Sequence, residues 1–186
     1  MRRRELFGWA LAGAVVTPSV AGAADNPPGL VTVLEVDQVA LFVIEDLLSG
    51  GKLHGTAAGV VGRIHQHEQA HVQLLTIEVA RLGQKAAPAP RSVAQADRRL
   101  TALNASGRLG HVRTGDDALR LIYDVESMVI GRCWEVLHTL TDAALIRTTA
   151  EIMAAEAQHA SAIGGLLHPG KWERVVPVGS VQGKHE

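Results

Sequence analysis

Two short motifs of the same form, each a glutamate followed three residues later by a histidine, constrain this chain more than any other feature. They are Glu68-Gln-Ala-His71 and Glu156-Ala-Gln-His159, and each lies inside a long segment with the apolar periodicity of a helix. Residues three apart on a helix share a face, so each motif presents a carboxylate and an imidazole side by side. Paired motifs of this kind on two helices are how some four-helix bundles hold two metal ions. We therefore predict an all-α bundle with a two-metal site.

The composition favours one helical domain. The chain has 186 residues, of which 47% are hydrophobic and only 3% aromatic, and this size suits a single buried core. The scarcity of aromatic residues argues against a sheet, since strands depend on aromatic and β-branched side chains. A net charge of -1 without a basic face argues against a nucleic-acid partner.

Residues 1–23 have the three parts of an export signal. Arg2-Arg3-Arg4-Glu5-Leu6-Phe7 is a charged start, residues 8–20 form a short apolar core, and Ala21-Gly22-Ala23 fits a cleavage site. The paired arginines resemble a twin-arginine signal, which addresses proteins exported in the folded state; an ordinary secretory signal and an uncleaved membrane anchor are the alternatives. We predict a periplasmic or secreted protein that uses the twin-arginine export machinery. Its mature part lacks a second hydrophobic run, so we expect it not to span a membrane.

Beyond the signal, the chain has the connectivity of a four-helix bundle. Four long helical patterns are separated by a short, a long and a short connection, as expected for two antiparallel hairpins joined by a long crossover. The patterns run from Leu30 to Leu48, from about Thr56 to Leu82, from Thr114 or Asp116 to Leu140, and from a cap at Thr141-Asp142 to Gly164-Gly165. We assign residues 24–167 to the bundle, with a short amphipathic piece near 92–104 inside the crossover, and residues 168–186 to an irregular tail.

Depth within each hairpin selects the carboxylates that accompany the two motifs, because residues equally far from a turn lie at the same level. With the second turn at Thr141, Glu126 lies fifteen residues before it and Glu156 fifteen after it. Glu135 would be roughly 13 Å out of step at about 1.5 Å per residue. Glu126 is therefore the expected ligand.

The same argument applied to the first hairpin favours Glu35. With that turn near Lys52-Leu53, Glu35 lies within about two residues of the level of Glu68, or roughly 3 Å along the axis. Glu45 would be roughly 12 Å out of step. Glu45 and Asp46 are better placed as solvated groups near the turn.

Six residues form the predicted metal site, with one glutamate from each of two helices and a Glu-x-x-His pair from each of the other two. They are Glu35, Glu68, His71, Glu126, Glu156 and His159. Four carboxylates balance the charge of two divalent ions, whereas without metal they would be costly to bury. Carboxylate oxygens with imidazole suit iron or manganese, and zinc could use the same ligands. The predicted cofactors are therefore two iron or manganese ions.

These motifs resemble those of a ferritin-like domain family of exported bacterial proteins. Members carry Leu-Glu-x-x-Glu-x-x-Phe-Tyr, His-Glu-x-x-His, Leu-Glu and a closing Glu-x-x-His. Here the corresponding stretches are Leu34-Glu35-Val-Asp-Gln38-Val-Ala-Leu-Phe42, His67-Glu-Gln-Ala-His71, Val125-Glu126 and Glu156-Ala-Gln-His159. The resemblance extends from about Leu30 to Leu167, and the departures are Gln38 and the missing tyrosine after Phe42.

The resemblance implies a ferritin-like four-helix bundle and a division of roles among the ligands. Glu68 and Glu156 would bridge the two ions. The terminal ligands would be Glu35 with Glu126, and the histidines binding one ion each would be His71 and His159. If the protein is an enzyme, it would be a dimetal oxidoreductase that reduces dioxygen or dismutates peroxide.

Two other functions remain open at this point. The stretch His67-Glu-Gln-Ala-His71 also fits the zinc-protease pattern, in which two histidines bind zinc and the glutamate is the general base. That hydrolase would leave the second Glu-x-x-His motif without a role. A metal-free bundle could instead serve as a structural or binding module, and apolar helix faces could form a homodimer. In the two-metal interpretation, His67 points partly away from the ions. It could contact a ligand or simply lie at the surface, and a surface position is expected for it.

Overall fold

The computed structural model describes residues 29–175, and within that range the chain forms five α-helices and no strand. The helices are α1 (Gly29–Ser49), α2 (Gly55–Arg81), α3 (Val93–Ala102), α4 (Gly115–Leu137) and α5 (Ala143–Leu167), with single 3-10 turns at Leu109–His111 and Trp172–Arg174. The predicted all-α fold class is confirmed. No helix in this range combines the length and apolar character needed to cross a bilayer. The predicted export signal, residues 1–23, and the end of the predicted tail, residues 176–186, lie outside the described residues.

The four long helices form two antiparallel hairpins that pack against each other. Short turns join α1 to α2 and α4 to α5, whereas residues 82–114, which include α3, separate α2 from α4. α1 packs against both α2 and α4, α4 packs against α5, and α2 makes a lesser contact with α5. Gly29 at the start of α1 lies against Val136 near the end of α4, and Lys52 beyond α1 lies beside Gly115 at the start of α4. α1 and α4 are therefore antiparallel, as the long crossover requires.

Local sequence explains where α4 and α5 begin. Thr114 and Asp117 form a capping box, in which each side chain accepts a hydrogen bond from the backbone N–H of the other residue. Asp142 caps α5 by accepting from the backbone N–H groups of Ala144 and Leu145. Both caps satisfy amide donors that the first turn of a helix leaves without partners. The sequence offers Thr114 or Asp116 for α4 and Thr141-Asp142 for α5, and the caps in the structure are Thr114 and Asp142.

The ends of α4 and α5 differ from the predicted ones. α4 ends at Leu137 rather than Leu140, and α5 continues past Gly164-Gly165 to Leu167. A side-chain carbon on Gly164 would lie 3.3 Å from the carbonyl oxygen of Val175. The glycine therefore allows the segment after α5 to approach the helix closely, and it does not end the helix.

Apolar side chains fill the bundle on both sides of a polar centre. α1 is covered on several sides, with Val33, Ala40 and Ile44 fully buried, because it packs against α2, α3 and α4. The exceptions at the centre are four acidic residues with no solvent exposure: Asp37, Glu68, Glu126 and Glu156. Buried acidic groups need a counter-charge or a proton, so this level of the bundle is the candidate site.

Candidate metal centre

The buried acidic residues come from all four long helices and converge with two histidines. α1 supplies Asp37, α2 supplies Glu68 and His71, α4 supplies Glu126, and α5 supplies Glu156 and His159. Each Glu-x-x-His pair lies on one face of its helix, as the three-residue spacing requires. The four acidic residues and His159 are at most 5% exposed, whereas the side chain of His71 is 13% exposed.

These side chains form two clusters, each with four potential ligand atoms within 4.8 Å of one another. The first cluster is Asp37, Glu68, His71 and Glu156, and the second is Glu68, Glu126, Glu156 and His159. Glu68 and Glu156 belong to both. Because a carboxylate has two oxygens, a residue shared in this way can contact two neighbouring cations at once.

Both imidazole rings turn Nδ1 toward the carboxylates. Nδ1 of His159 lies 3.1 Å from Glu156 Oε2, 3.2 Å from Glu126 Oε2 and 3.3 Å from Glu68 Oε1. Nδ1 of His71 lies 2.7 Å from Glu156 Oε1 and 3.8 Å from Glu68 Oε1. Glu156 therefore contacts both histidines, one through each of its oxygens.

Several buried oxygens of the two clusters have neither a hydrogen-bond partner nor an ion-pair contact among the described residues. They are both oxygens of Asp37, Oε2 of Glu68 and Oε1 of Glu126. Buried carboxylate oxygens without donors are costly unless a cation or a proton compensates them. The donor set combines carboxylate oxygens with imidazole nitrogens, which suits divalent cations such as manganese, iron and zinc. The residues present therefore fit a metal site.

Burial and crowding raise the pKa values of three carboxyl groups. Burial, and then the charges of Glu68 and Glu156, raise the pKa of Asp37 well above its usual value. Burial, followed by the same two charges, does the same to the pKa of Glu126. Burial and the charge of Glu156 raise the pKa of Glu68 to about 7. Without a cation, the clusters therefore hold protons near neutral pH.

Hydrogen bonds shift the pKa values of the other three groups. Burial would raise the pKa of Glu156, but its hydrogen bonds, first with Glu126 and then with His159, outweigh burial and hold this pKa below its usual range. Burial would lower the pKa of His159, but hydrogen bonds to Glu126 and Glu156 raise it to about 12. The pKa of His71 also rises, because its hydrogen bond to Glu156 outweighs burial. These histidine protons lie where a divalent cation would have to displace them.

The chain matches the family model described as ferritin-like domain over residues 31–169. It belongs to the ferritin-like domain family. The matched range contains every residue of both clusters and all four long helices apart from the first two residues of α1. This confirms the ferritin-like family that the sequence motifs predict. No individual curated protein matches the chain.

Within this ferritin-like bundle, the predicted ligand Glu35 lies outside both clusters. Its Oε1 accepts a hydrogen bond of 2.8 Å from the backbone N–H of Ala87 in the crossover. The side chain lines a cavity of about 220 Å³ together with Arg99 and Arg132. Asp37 follows two residues later, which is a rotation of about 200° around a helix, so the two side chains point to opposite sides of α1. The clusters thus contain Asp37 of α1 and do not contain Glu35.

The sequence does contain a signal for Asp37. With the first turn at Lys52-Leu53, Asp37 and Glu68 are equally far from the turn, fifteen to sixteen residues on either side of it. The depth argument considers only glutamates as partners of Glu68, so it does not select Asp37. The rejected Glu45 is exposed and pairs with His65. The structure brings together the other five predicted residues, Glu68, His71, Glu126, Glu156 and His159.

His67 is exposed as a residue, but one edge of its ring reaches the centre of the ferritin-like bundle. Its Nδ1 lies 2.9 Å from Nε2 of His159, and the two ring centroids are 5.2 Å apart. It belongs to neither cluster. The zinc-protease pattern requires His67 and His71 to bind the same ion, whereas here His67 contacts the outer edge of another histidine. His67 is therefore exposed, as expected from the sequence, and it also makes the contact with a candidate ligand that the sequence leaves as the alternative.

Proposed function

We propose that this ferritin-like protein binds two iron or manganese ions bridged by Glu68 and Glu156. The observation that carries the proposal is the membership of these two carboxylates in both clusters. In dimetal four-helix bundles, Glu-x-x-His pairs on two helices and single carboxylates on the other two surround a pair of ions. The remaining ligands would be Asp37 and His71 for one ion, and Glu126 and His159 for the other.

Charge balance favours two divalent ions over one. The clusters contain four carboxyl groups, and two divalent cations would neutralise them when all are ionised. A single divalent ion would leave two buried negative charges, which would then require protons. Carboxylate and imidazole ligands suit iron and manganese, and zinc could use the same set.

When bound, two adjacent carboxylate-bridged ions of this type supply redox chemistry toward dioxygen or peroxide. The chain itself contributes position and burial. Ile64 and Leu75, one turn from the ligands of α2, are at most 3% exposed and exclude bulk water from the site. His71 is the most exposed of the six ligands, so a small substrate would approach beside it. The proposed class of activity is therefore a dimetal oxidoreductase.

Metal content tests the proposal directly. The protein is purified without chelator or metal-affinity tag, and elemental analysis counts iron, manganese and zinc per chain. We expect about two iron or manganese ions per chain in the wild type, and their loss in Glu68→Ala and in Glu156→Ala. Glu45→Ala is the matched control, because it removes an exposed carboxylate of α1 that pairs with His65.

Three outcomes would contradict the proposal. Unchanged metal content in both Glu68→Ala and Glu156→Ala would show that these residues do not hold the ions. A single zinc ion per chain would favour a hydrolase built on the stretch from His67 to His71. A wild-type protein without metal would favour a structural or binding module.

We further propose that the protein reaches the periplasm or the exterior through the twin-arginine route. The support is the sequence Arg2-Arg3-Arg4-Glu5-Leu6-Phe7 ahead of a short apolar stretch. This route carries folded proteins, so the metal could be bound before export. The double replacement of Arg3→Lys and Arg4→Lys should retain the protein in the cytoplasm, as cell fractionation would show. Export of this variant at the wild-type level would contradict the proposed route.

A further inference from the structure

His67 and His159 make a contact that the two clusters do not themselves require. His67 precedes Glu68 on α2 and so points about 100° away from it, toward α5. There its Nδ1 lies 2.9 Å from Nε2 of His159, and the planes of the two rings differ by 28°. The contact joins an exposed residue of α2 to a candidate ligand that is only 5% exposed.

The other candidate imidazole ligand has no equivalent support. Nδ1 of His71 contacts Glu156 and Glu68, as Nδ1 of His159 does. Within residues 29–175, however, no hydrogen bond joins the second ring nitrogen of His71 to another residue. The two clusters therefore differ in whether the second ring nitrogen of their histidine has a hydrogen-bond partner among these residues.

The two nitrogens of His159 have different surroundings and therefore different roles. Nδ1 faces three carboxylates at 3.1–3.3 Å, so a metal ion would bind at Nδ1 and the proton of the neutral ring would stay on Nε2. The Nε2–H group can then donate to Nδ1 of His67, which accepts when His67 is neutral.

We propose that His67 is a positioning residue, which fixes the tautomer and ring orientation of His159 by accepting a hydrogen bond from its Nε2–H. This inference rests on the proposed two-metal function, because it concerns how His159 presents Nδ1 to the ion of the second cluster. Removing the partner of a metal-binding histidine typically lowers metal affinity by roughly 10–100-fold. Because His71 has no such partner among residues 29–175, we expect the effect to be confined to one of the two ions.

Anaerobic titration with Co²⁺ tests the inference, since the visible absorption of Co²⁺ reports the ligands of each bound ion. The samples are the wild type, His67→Ala, His67→Asn and His65→Ala. Asparagine keeps a hydrogen-bond acceptor near the position of Nδ1, whereas alanine removes it. His65 is the matched control, because it is a histidine of the same helix that pairs with Glu45 at 3.1 Å and lies outside both clusters.

We expect the wild type and His65→Ala to bind two ions with the same affinities. His67→Ala should lower the affinity for the ion of the second cluster by about 10–100-fold and leave the affinity for the other ion unchanged. His67→Asn should restore most of the lost affinity. A protein with Glu126→Gln should already lack the ion of the second cluster. Adding His67→Ala to it should therefore not change metal binding further. The metal-free thermal stability of His67→Ala should be nearly unchanged, because the side chain is exposed.

Three results would overturn the inference and leave the two-metal proposal intact. They are wild-type affinities for both ions in His67→Ala, equal weakening of both ions, and failure of His67→Asn to restore binding. The last two would indicate a general structural role for His67. Binding of fewer than two Co²⁺ ions by the wild type would instead overturn the two-metal proposal, and the inference with it.

Discussion

The two clusters of the metal centre share Glu68 and Glu156 but differ in how firmly their other residues are held. In the second cluster, His159 contacts three carboxylates within 3.3 Å and meets His67 on its outer side. In the first cluster, Asp37 has two unpartnered oxygens among the described residues, and His71 has one contact shorter than 3 Å. The second cluster is therefore held in place by its own contacts, whereas the first would depend on a cation for its organisation.

This difference leads us to expect two unequal ions. A preorganised site binds more tightly because less conformational freedom is lost on binding. The ion of the second cluster should therefore bind first. The ion of the first cluster would lie beside His71, whose side chain is 13% exposed, and should exchange faster with solvent.

Removal of a carboxylate that both clusters share should have the largest effect, because it removes a ligand of both ions. Glu156 contacts both histidines. Glu156→Ala should therefore lower the affinities for both ions by more than roughly 100-fold, as measured by Mn²⁺ or Co²⁺ titration. A variant that keeps one ion at wild-type affinity would show that Glu156 is not shared.

Removal of an unshared carboxylate should affect only one ion. Asp37→Asn should release the weaker ion and Glu126→Gln the tighter one, and both amides preserve side-chain volume. Titration of the two variants should therefore leave different residual affinities, the lower one in Glu126→Gln. Identical residual affinities would show that the clusters are equivalent, and loss of both ions in either variant would show that the ions bind only as a pair.

The stability of the metal-free protein should depend on pH in a direction set by the shifted pKa values. Glu68 has a pKa of about 7 against an ordinary value of 4.5, so between these values the folded chain holds a proton that the unfolded chain has lost. The pKa of His159, raised from 6.5 to about 12, acts in the same direction above pH 6.5. Stability should therefore fall as the pH rises from about 5 to about 8. The lowered pKa of Glu156 has the opposite effect only in more acidic solution.

Thermal unfolding of chelator-treated protein across this pH range measures the effect. With excess Mn²⁺ the trend should weaken or reverse, because bound metal displaces the same protons. The rise in Tm caused by metal should thus grow with pH. A metal-free Tm that increases between about pH 5 and about pH 8 would contradict the prediction that the metal-free clusters are protonated near neutral pH. A metal-induced rise in Tm that is the same at every pH would contradict it as well.

Replacement of Glu35 should have the smallest effect. Glu35→Gln weakens one hydrogen bond to the backbone of Ala87 in the crossover, so the free energy of unfolding should fall by at most about 1 kcal/mol. Both ions should bind as in the wild type. Loss of an ion in this variant would restore Glu35 as a ligand in place of Asp37.

The choice between Glu35 and Asp37 shows where sequence reasoning reaches its limit. Equal distance from a turn predicts depth along a hairpin, and it correctly brings Glu126 to the level of Glu156. Depth does not reveal which way a side chain points, and neighbouring positions on a helix differ by about 100°. The apolar pattern resolves this for a helix with one buried face. α1 is buried on several sides by α2, α3 and α4, so its pattern does not distinguish the face that bears Asp37.

The contact partner of His67, which is His159, could not be predicted for a different reason. The helices, their caps at Thr114 and Asp142, and the pairing within each hairpin follow from periodicity and local hydrogen bonding. The contact depends instead on how closely α2 approaches α5, which belong to different hairpins. That distance is set by packing across the whole bundle, and no local pattern near His67 encodes it.

Anomalous diffraction from crystals of the Mn²⁺-loaded protein would locate the bound ions. We predict two manganese peaks about 3.5–4 Å apart, bridged by Glu68 and Glu156. Asp37 and His71 should be bound to one ion, and Glu126 and His159 to the other. A single peak, or two peaks with Glu35 rather than Asp37 as a ligand, would contradict this prediction.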